Sequence, residues 1–117
     1  MTYKRKDLGL LTVRQLRSRR GRLGVSLPDV EGLIAGSVVD QGRRCGKEGC
    51  RCATGELHGP YTYVVLARAG GRTRTLYVPA AAAEVVRRGA AVSLRVRAVL
   101  EEISAINIEL LSRGALD

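Results

Sequence analysis

Residues 45–63 read CGKEGCRCATGELHGPYTY and contain all three cysteines and the only histidine of the 117-residue chain. The four side chains follow the spacing C-x4-C-x-C-x5-H. Three thiols and one imidazole form a tetrahedral ligand set that Zn²⁺ takes in structural sites. Glycines, which allow the backbone to turn sharply toward a shared centre, stand among them at positions 46, 49, 55 and 59. We therefore predict that one structural zinc ion is bound by Cys45, Cys50, Cys52 and His58.

Two other interpretations of this cluster stay open. The thiols could be small buried apolar side chains, with His58 capping a turn. Cys50 and Cys52 could instead form a redox switch, because adjacent thiols in a basic loop are reactive. A catalytic zinc is disfavoured, because four protein ligands leave no open position and no second histidine or evident carboxylate base stands beside them.

The composition restricts the class of protein. A length of 117 residues fits one small domain, and the absence of Phe and Trp requires an aliphatic core. No stretch approaches the roughly 20 apolar residues of a membrane helix. The N-terminus has basic residues but no apolar run before a cleavage site, which argues against secretion. Because the three clustered cysteines cannot all pair with one another, we expect reduced thiols in a cytoplasmic protein.

The chain has a strong positive charge. It carries 20 Lys and Arg against 11 Asp and Glu, a net charge of +9. Residues 1–24 hold eight of these cations and a single acidic residue, whereas the positive and negative charges of residues 80–117 balance. Most of the cations are arginines, whose planar guanidinium suits phosphate. This balance favours a polyanionic partner over a neutral metabolite.

Local patterns predict helices at both ends of the chain. Residues 8–22 favour a short basic helix with Thr12 as a possible internal start, ended by Gly21 and Gly24. Pro79 opens a second helical region, with a short helix over residues 80–88 that stops or kinks at Gly89. A longer amphipathic helix then covers residues 90–112, and its apolar seam consists of Val92, Val96, Val99, Ile103, Ile106 and Leu110.

The middle of the chain predicts strands. Residues 37–40 favour a short strand, and residues 61–68 and 72–78 favour a hairpin around a Gly70–Gly71 turn. That turn would place Tyr63 and Val78 on one face and Tyr77 on the other. The fold class is therefore α+β: a zinc-knuckle loop, a two-stranded antiparallel hairpin, a basic N-terminal helix and a long C-terminal amphipathic helix. We expect a basic segment over residues 1–35 and a single domain over 36–117.

The stretch from Cys45 to Tyr63, with Tyr77-Val78-Pro79, resembles a family of small uncharacterised bacterial proteins. Members share CGxxxCxC, then HGPYYY, a basic hairpin ending in Tyr-x-Pro and a C-terminal helix. The resemblance covers residues 36–112, and Thr62 departs from the usual central tyrosine. Family members tend to occur near transposases and other mobile elements, which implies a link to DNA.

Basic side chains cluster around the predicted zinc loop and at the hairpin tip. Lysine and arginine contacts with phosphate supply affinity for nucleic acid irrespective of its sequence. Tyr61 or Tyr63 could stack on a base, although core packing is favoured for Tyr63. Exposed arginines on a ribbon can also be ordinary solvated residues. The candidate nucleic-acid-binding residues are Arg43, Arg44, Lys47, Arg51, Arg68, Arg72 and Arg74.

Three functions compete on these observations. The first is a zinc-stabilised nucleic-acid-binding module, for DNA rather than RNA, serving as an accessory to a recombinase or transposase. The second is an adaptor whose C-terminal helix pairs with a second copy or a partner protein, around a purely structural zinc. The third is an enzyme, which is disfavoured because the cysteines lack a second histidine or an acid–base pair.

Overall fold

The computed structural model describes residues 5–67 and 70–117 and has the predicted α+β class. Its elements in chain order are α1 Arg5–Leu8, α2 Val13–Val25, β1 Gly36–Arg43, β2 His58–Ala67, β3 Thr73–Val78 and α3 Ala83–Ser112. Single 3-10 turns at Arg51–Ala53 and Ala80–Ala82 precede β2 and α3. The predicted helix–sheet–helix order is thereby confirmed.

The described residues group into two compact units. The helical unit comprises the chain up to Val30 together with Leu94–Asp117, and the sheet unit comprises Glu31–Ser93. Residues of α3 therefore belong to both units. The predicted division of the chain into a basic segment, 1–35, and a single domain, 36–117, stays a prediction.

Helix α2 begins at Thr12, the possible start suggested by the sequence. The backbone N–H of Gln15 donates to Thr12 Oγ1 at 3.1 Å, and the N–H of Thr12 donates to Gln15 Oε1 at 2.9 Å. This reciprocal capping box satisfies two amides that would otherwise lack partners. The predicted end at Arg22, attributed to Gly21 and Gly24, is too early, because α2 runs through both glycines to Val25. One helical glycine costs only about 1 kcal/mol, and extending the helix packs Leu23 against the core.

The core of the helical unit joins the two ends of the chain. Leu8 and Leu16 from α1 and α2 pack with Ile106 and Leu110 from α3, and each is at most 2% exposed. The C-terminal end of the predicted apolar seam is thus buried against the N-terminal helices, whereas the sequence suggested the hairpin or a dimer. A basic segment with few apolar residues still supplies the two leucines that this seam requires.

The sheet has a third strand in addition to the predicted hairpin. All neighbouring pairs are antiparallel in the order β1–β2–β3. The strand expected at residues 37–40 extends over Gly36–Arg43 and pairs with β2 along most of its length. A two-stranded hairpin is marginal alone, so β1 gives the sheet its independent stability.

The hairpin register differs by one residue from the expectation. Tyr63 pairs with Tyr77 and Ala67 with Thr73, whereas a two-residue turn at Gly70–Gly71 would pair Tyr63 with Val78. Because side chains alternate along a strand, this shift moves every β3 side chain to the opposite face. Tyr77 therefore shares a face with Tyr63, and the prediction that placed Val78 there is wrong.

Helix α3 passes through Gly89 without a break, which corrects the expected stop or kink. The carbonyl of Gly89 accepts a hydrogen bond from the N–H of Ile34 at 3.1 Å, and a Cβ at this position would overlap the carbonyl oxygen of Gly32. The absence of a side chain at Gly89 therefore lets the segment around Gly32 lie directly against α3. The predicted stop at Gly114 is confirmed, since its φ of 67° lets the N–H of Ala115 donate to the carbonyl of Leu110 at 2.8 Å.

Candidate metal centre

The sheet holds both ends of the cysteine loop together. Arg43, the last residue of β1, pairs with His58, the first residue of β2, so the connecting residues 44–57 form a closed loop. Gly46 and Gly49 adopt φ values of 72° and 78°, which side chains of L-residues rarely tolerate. The 3-10 turn at Arg51–Ala53 then directs Cys52 inward, where it is 2% exposed.

The loop brings together the four side chains that the sequence predicted as ligands. Cys45 Sγ lies 3.5 Å from Cys52 Sγ, and Cys50 Sγ lies 3.2 Å from His58 Nε2. The ligand atoms of all four residues lie within 4.8 Å of one another. A zinc tetrahedron with bonds of about 2.3 Å has sulfur–sulfur edges of about 3.8 Å, so these separations fit a single ion. The cluster could therefore hold one metal ion.

Backbone amides favour a thiolate in this cluster. The N–H of Cys45 donates to Cys52 Sγ at 3.3 Å and is the largest cause that lowers the pKa of Cys52 to about 7. The N–H of Lys47 donates to Cys45 Sγ at 3.4 Å. Metals bind the deprotonated thiol, so donors aimed at sulfur prepare the loop for a cation.

Mutual repulsion among the thiols opposes full deprotonation. The backbone N–H of Cys52 lowers the pKa of Cys50, but hydrogen bonds with the thiols of Cys45 and Cys52, burial and the charge of Cys45 together raise it by more, so the net shift is upward. Three negative sulfurs within a few ångströms need a positive charge among them. A divalent cation bound by these residues would supply that charge.

The candidate cations lie at both ends of the sheet. Arg43, Arg44, Lys47 and Arg51 are exposed around the cysteine loop, and Lys47 lines a shallow depression with Cys45, Cys50, His58 and Tyr61. Arg72 and Arg74 are exposed at the opposite end of β2, a strand about 30 Å long. Arg68 lies outside the described residues. The structure therefore separates the described candidate cations into two groups, one at each end of β2.

Part of the N-terminal positive charge is paired within the helical unit. Arg19 forms an ion pair with Glu102 at 3.1 Å, and Arg20 forms one with Asp117 at 2.9 Å. Arg17 donates to the carbonyl of Ala115. These arginines attach α2 to α3 and the C-terminus, so the charge of residues 1–24 is in part structural.

Two features of the sheet unit were missed by sequence reasoning. Asp40 accepts hydrogen bonds from the Thr62 hydroxyl at 2.8 Å and from Arg87 at 2.9 Å, and these bonds lower its pKa, that of Thr62 most. Tyr77 contacts both Tyr61 and Tyr63. Neither feature has a local signal, because each depends on pairing between distant residues.

A small antiparallel sheet whose first connection carries a Cys3His cluster defines the class: a small α+β protein with a candidate structural metal site. A family model described as a domain of unknown function, DUF6788, matches residues 13–88. The chain belongs to this family. The match begins at the start of α2, so the basic helix is part of the family domain, whereas the resemblance seen in the sequence began at residue 36.

The other comparisons add no relative. No curated protein and no solved structure matches the chain significantly. Within the described part of the chain, no helix combines the length and apolarity needed to cross a membrane.

Proposed function

We propose that this chain is a small nucleic-acid-binding module stabilised by one structural zinc ion. The observation that carries the proposal is the convergence of all three cysteines and the only histidine within 4.8 Å, on a loop bordered by exposed cations. Zinc suits this set of soft sulfur and imidazole ligands better than calcium or magnesium, which prefer oxygen. With four protein ligands the ion has no open position, so we propose a binding protein rather than an enzyme.

Metal analysis tests the first half of the proposal. Mass spectrometry of freshly purified protein should find about one Zn²⁺ per chain. Cys50→Ser and His58→Ala should each lose most of the metal and melt at lower temperature, because binding free energy is also folding free energy. Full retention of zinc by both variants would exclude this ligand set.

The exposed cations support the second half of the proposal. The ion pairs among the described residues leave out Arg43, Arg44, Lys47, Arg51, Arg72 and Arg74. Cations without carboxylate partners are available to phosphates, and they add sequence-independent affinity. By contrast, Arg19, Arg20, Arg87 and Arg113 form ion pairs and serve the fold.

A gel shift over a salt series tests nucleic-acid binding. Changing Arg72 and Arg74 together to Glu should weaken binding for every sequence tried. It should also reduce the slope of log K against log[salt] by about 0.7–0.9 for each phosphate that the protein no longer neutralises. The charge-matched control changes the exposed α3 residues Arg95 and Arg97 to Glu.

Metal content and melting temperature should stay near those of the unmutated protein, because both hairpin positions lie away from the ligands. If changing Arg95 and Arg97 weakens binding as much as changing Arg72 and Arg74, the assignment of phosphate binding to the hairpin is wrong.

A specific observation also favours an adaptor as a second candidate function. Helix α3 exposes large apolar side chains on the side opposite its buried seam: Leu94, Leu100, Ile108 and Leu111, each between 46% and 65% exposed. Such a stripe is typical of a helix that packs on a partner or on a second copy of the chain. Absence of binding to duplex or single strands at low salt would make the adaptor the leading function.

The biological setting we propose is that of an accessory to a DNA recombination or transposition system in a bacterial cytoplasm. It rests on the resemblance of residues 45–63 and 77–79 to bacterial proteins that occur near mobile elements. Such an accessory requires affinity for DNA backbone without chemistry of its own, and exposed arginines beside a rigid metal loop meet that requirement. Copurification of the chain with transposase–DNA complexes measures this directly.

A further inference from the structure

The few aromatic residues of this chain are concentrated in one place. The sequence has four tyrosines and neither phenylalanine nor tryptophan. Three of the four tyrosines, Tyr61, Tyr63 and Tyr77, meet on one face of the sheet, which we call the tyrosine face. The ring centroids of Tyr63 and Tyr77 lie 5.9 Å apart and those of Tyr61 and Tyr77 lie 6.5 Å apart, both edge to face.

The tyrosine face is the solvent side of the sheet. On the opposite face, Val64 and Val78 are at most 5% exposed and form the apolar side. Along β1, the residues that alternate onto the tyrosine face, Ser37, Val39 and Gln41, are exposed. The solvent face of an antiparallel sheet is ordinarily polar. Here the solvent face carries three tyrosine rings, whereas the core on the other face is aliphatic.

The three rings differ in exposure in a way that fits a binding surface. Tyr63 is only 7% exposed because its neighbours cover it, whereas Tyr61 and Tyr77 are 38% and 59% exposed. The buried Tyr63 ring supports Tyr77 edge to face, and Tyr77 in turn contacts Tyr61, so the two exposed rings lose little conformational freedom when a ligand arrives. Exposed aromatic surface on a fixed support marks an interaction site.

Positive charge borders the same face at the end near the cysteine loop. The Arg43 guanidinium lies 4.6 Å from the centroid of Tyr63. Lys47 and Tyr61 line one depression together with three of the candidate metal ligands. A ligand on this face would meet flat apolar rings beside cations, which is complementary to a chain that carries both bases and phosphates.

We propose that the tyrosine face binds single-stranded DNA, with unpaired bases stacked on Tyr77 and Tyr61 and phosphates near Arg43 and Lys47. This inference rests on the proposed nucleic-acid-binding function and names its substrate class. Duplex DNA is a poorer ligand for this face, because its bases are already stacked on one another and paired. The stacking is tolerant of sequence, since every base has a flat π-surface.

Binding to a fluorescein-labelled dT15 oligonucleotide, followed by anisotropy, tests the proposal on the full chain. Tyr77→Ala should weaken binding by roughly 5- to 150-fold, the range for losing one base–aromatic stack. Tyr77→Phe keeps the ring and should bind within about twofold of the unmutated protein. Tyr77→Leu keeps apolar area without a ring and should behave like Tyr77→Ala. If Tyr77→Leu bound as tightly as Tyr77→Phe, stacking would be refuted.

A second measurement uses the unmutated protein alone, so it does not depend on how well a variant folds. An abasic oligonucleotide with the same number of phosphates should bind at least tenfold more weakly than dT15. Because the chain lacks tryptophan, its fluorescence comes from tyrosines, and stacked bases should quench it while the abasic strand should not. Equal affinity and equal quenching for the two strands would overturn the proposal.

The results also separate this inference from the proposed function. If the protein binds duplex and single strands equally and Tyr77→Ala changes neither, the inference is refuted while nucleic-acid binding stands. If neither form binds at low salt, the proposed function fails. Tighter binding of an RNA oligonucleotide than of DNA with the same bases would refute the assignment to DNA.

Discussion

Replacing Gly89 with alanine tests whether packing or helix propensity governs this position of α3. Alanine is about 1 kcal/mol more favourable than glycine inside a helix, so propensity alone predicts stabilisation. The structure predicts the opposite sign. A Cβ at Gly89 would overlap the carbonyl oxygen of Gly32 and lie 3.1 Å from Cγ1 of Ile34.

The overlap is with backbone, which cannot rotate away as a side chain can. The segment around Gly32 would have to shift, which strains the 3.1 Å hydrogen bond from the N–H of Ile34 to the carbonyl of Gly89. Overpacking at such a close approach costs about 1–3 kcal/mol, and a weakened hydrogen bond adds about 1 kcal/mol. After subtracting the propensity gain, we expect Gly89→Ala to destabilise the protein by about 1–3 kcal/mol.

Gly21→Ala is the matched control, because Gly21 is also inside a helix and a Cβ there meets nothing within 4 Å. It should raise stability by up to about 1 kcal/mol, a rise in Tm of roughly 3–6 °C for a chain of this size. Both variants are measured by urea and thermal unfolding, followed by helical circular dichroism. Equal stabilisation by the two substitutions would refute the close approach of Gly32 to α3.

Two further predictions concern the core and the sheet. Leu110→Ala should cost about 2–5 kcal/mol in urea unfolding because Leu110 is fully buried, whereas Leu111→Ala, at a side chain 64% exposed, should cost under about 1 kcal/mol. The pKa of Asp40 is lowered by the Thr62 hydroxyl and by Arg87, so its contribution to stability is present above its unfolded pKa near 4. That contribution is lost as pH falls further, and Asp40→Asn should flatten the decline in unfolding free energy below pH 4.

The features that the sequence predicted correctly depend on neighbours within a few residues. Thr12 and Gln15 form their capping box across three positions, and Gly114 ends α3 through bonds within one turn. The four candidate ligands likewise converge within one short loop, with glycines at its sharp bends and its two ends paired in the sheet. Local chemistry of this kind leaves the chain few alternative conformations, so the spacing alone is informative.

The features that the sequence did not predict depend on contacts between distant segments. Gly89 has the pattern of a helix breaker, but its role is set by Gly32, which lies 57 positions earlier. The partner of the seam around Ile106 and Leu110 was missed because it comes from apolar side chains of a strongly basic N-terminal segment, chiefly Leu8 and Leu16. Helix propensity carries no information about which distant segment of the chain will pack against a residue.

The hairpin shows how much can follow from a shift of one residue in strand register. A two-residue turn at Gly70–Gly71 would pair Tyr63 with Val78 and leave Tyr77 on the apolar side of the sheet. In the observed register Tyr63 pairs with Tyr77, so three tyrosines form one surface. Both registers satisfy the alternation of β3, because Val78 and Tyr77 are each apolar enough to be buried. In the observed register Val78 is buried on the same side as Val64, and this register creates the surface to which we assign DNA.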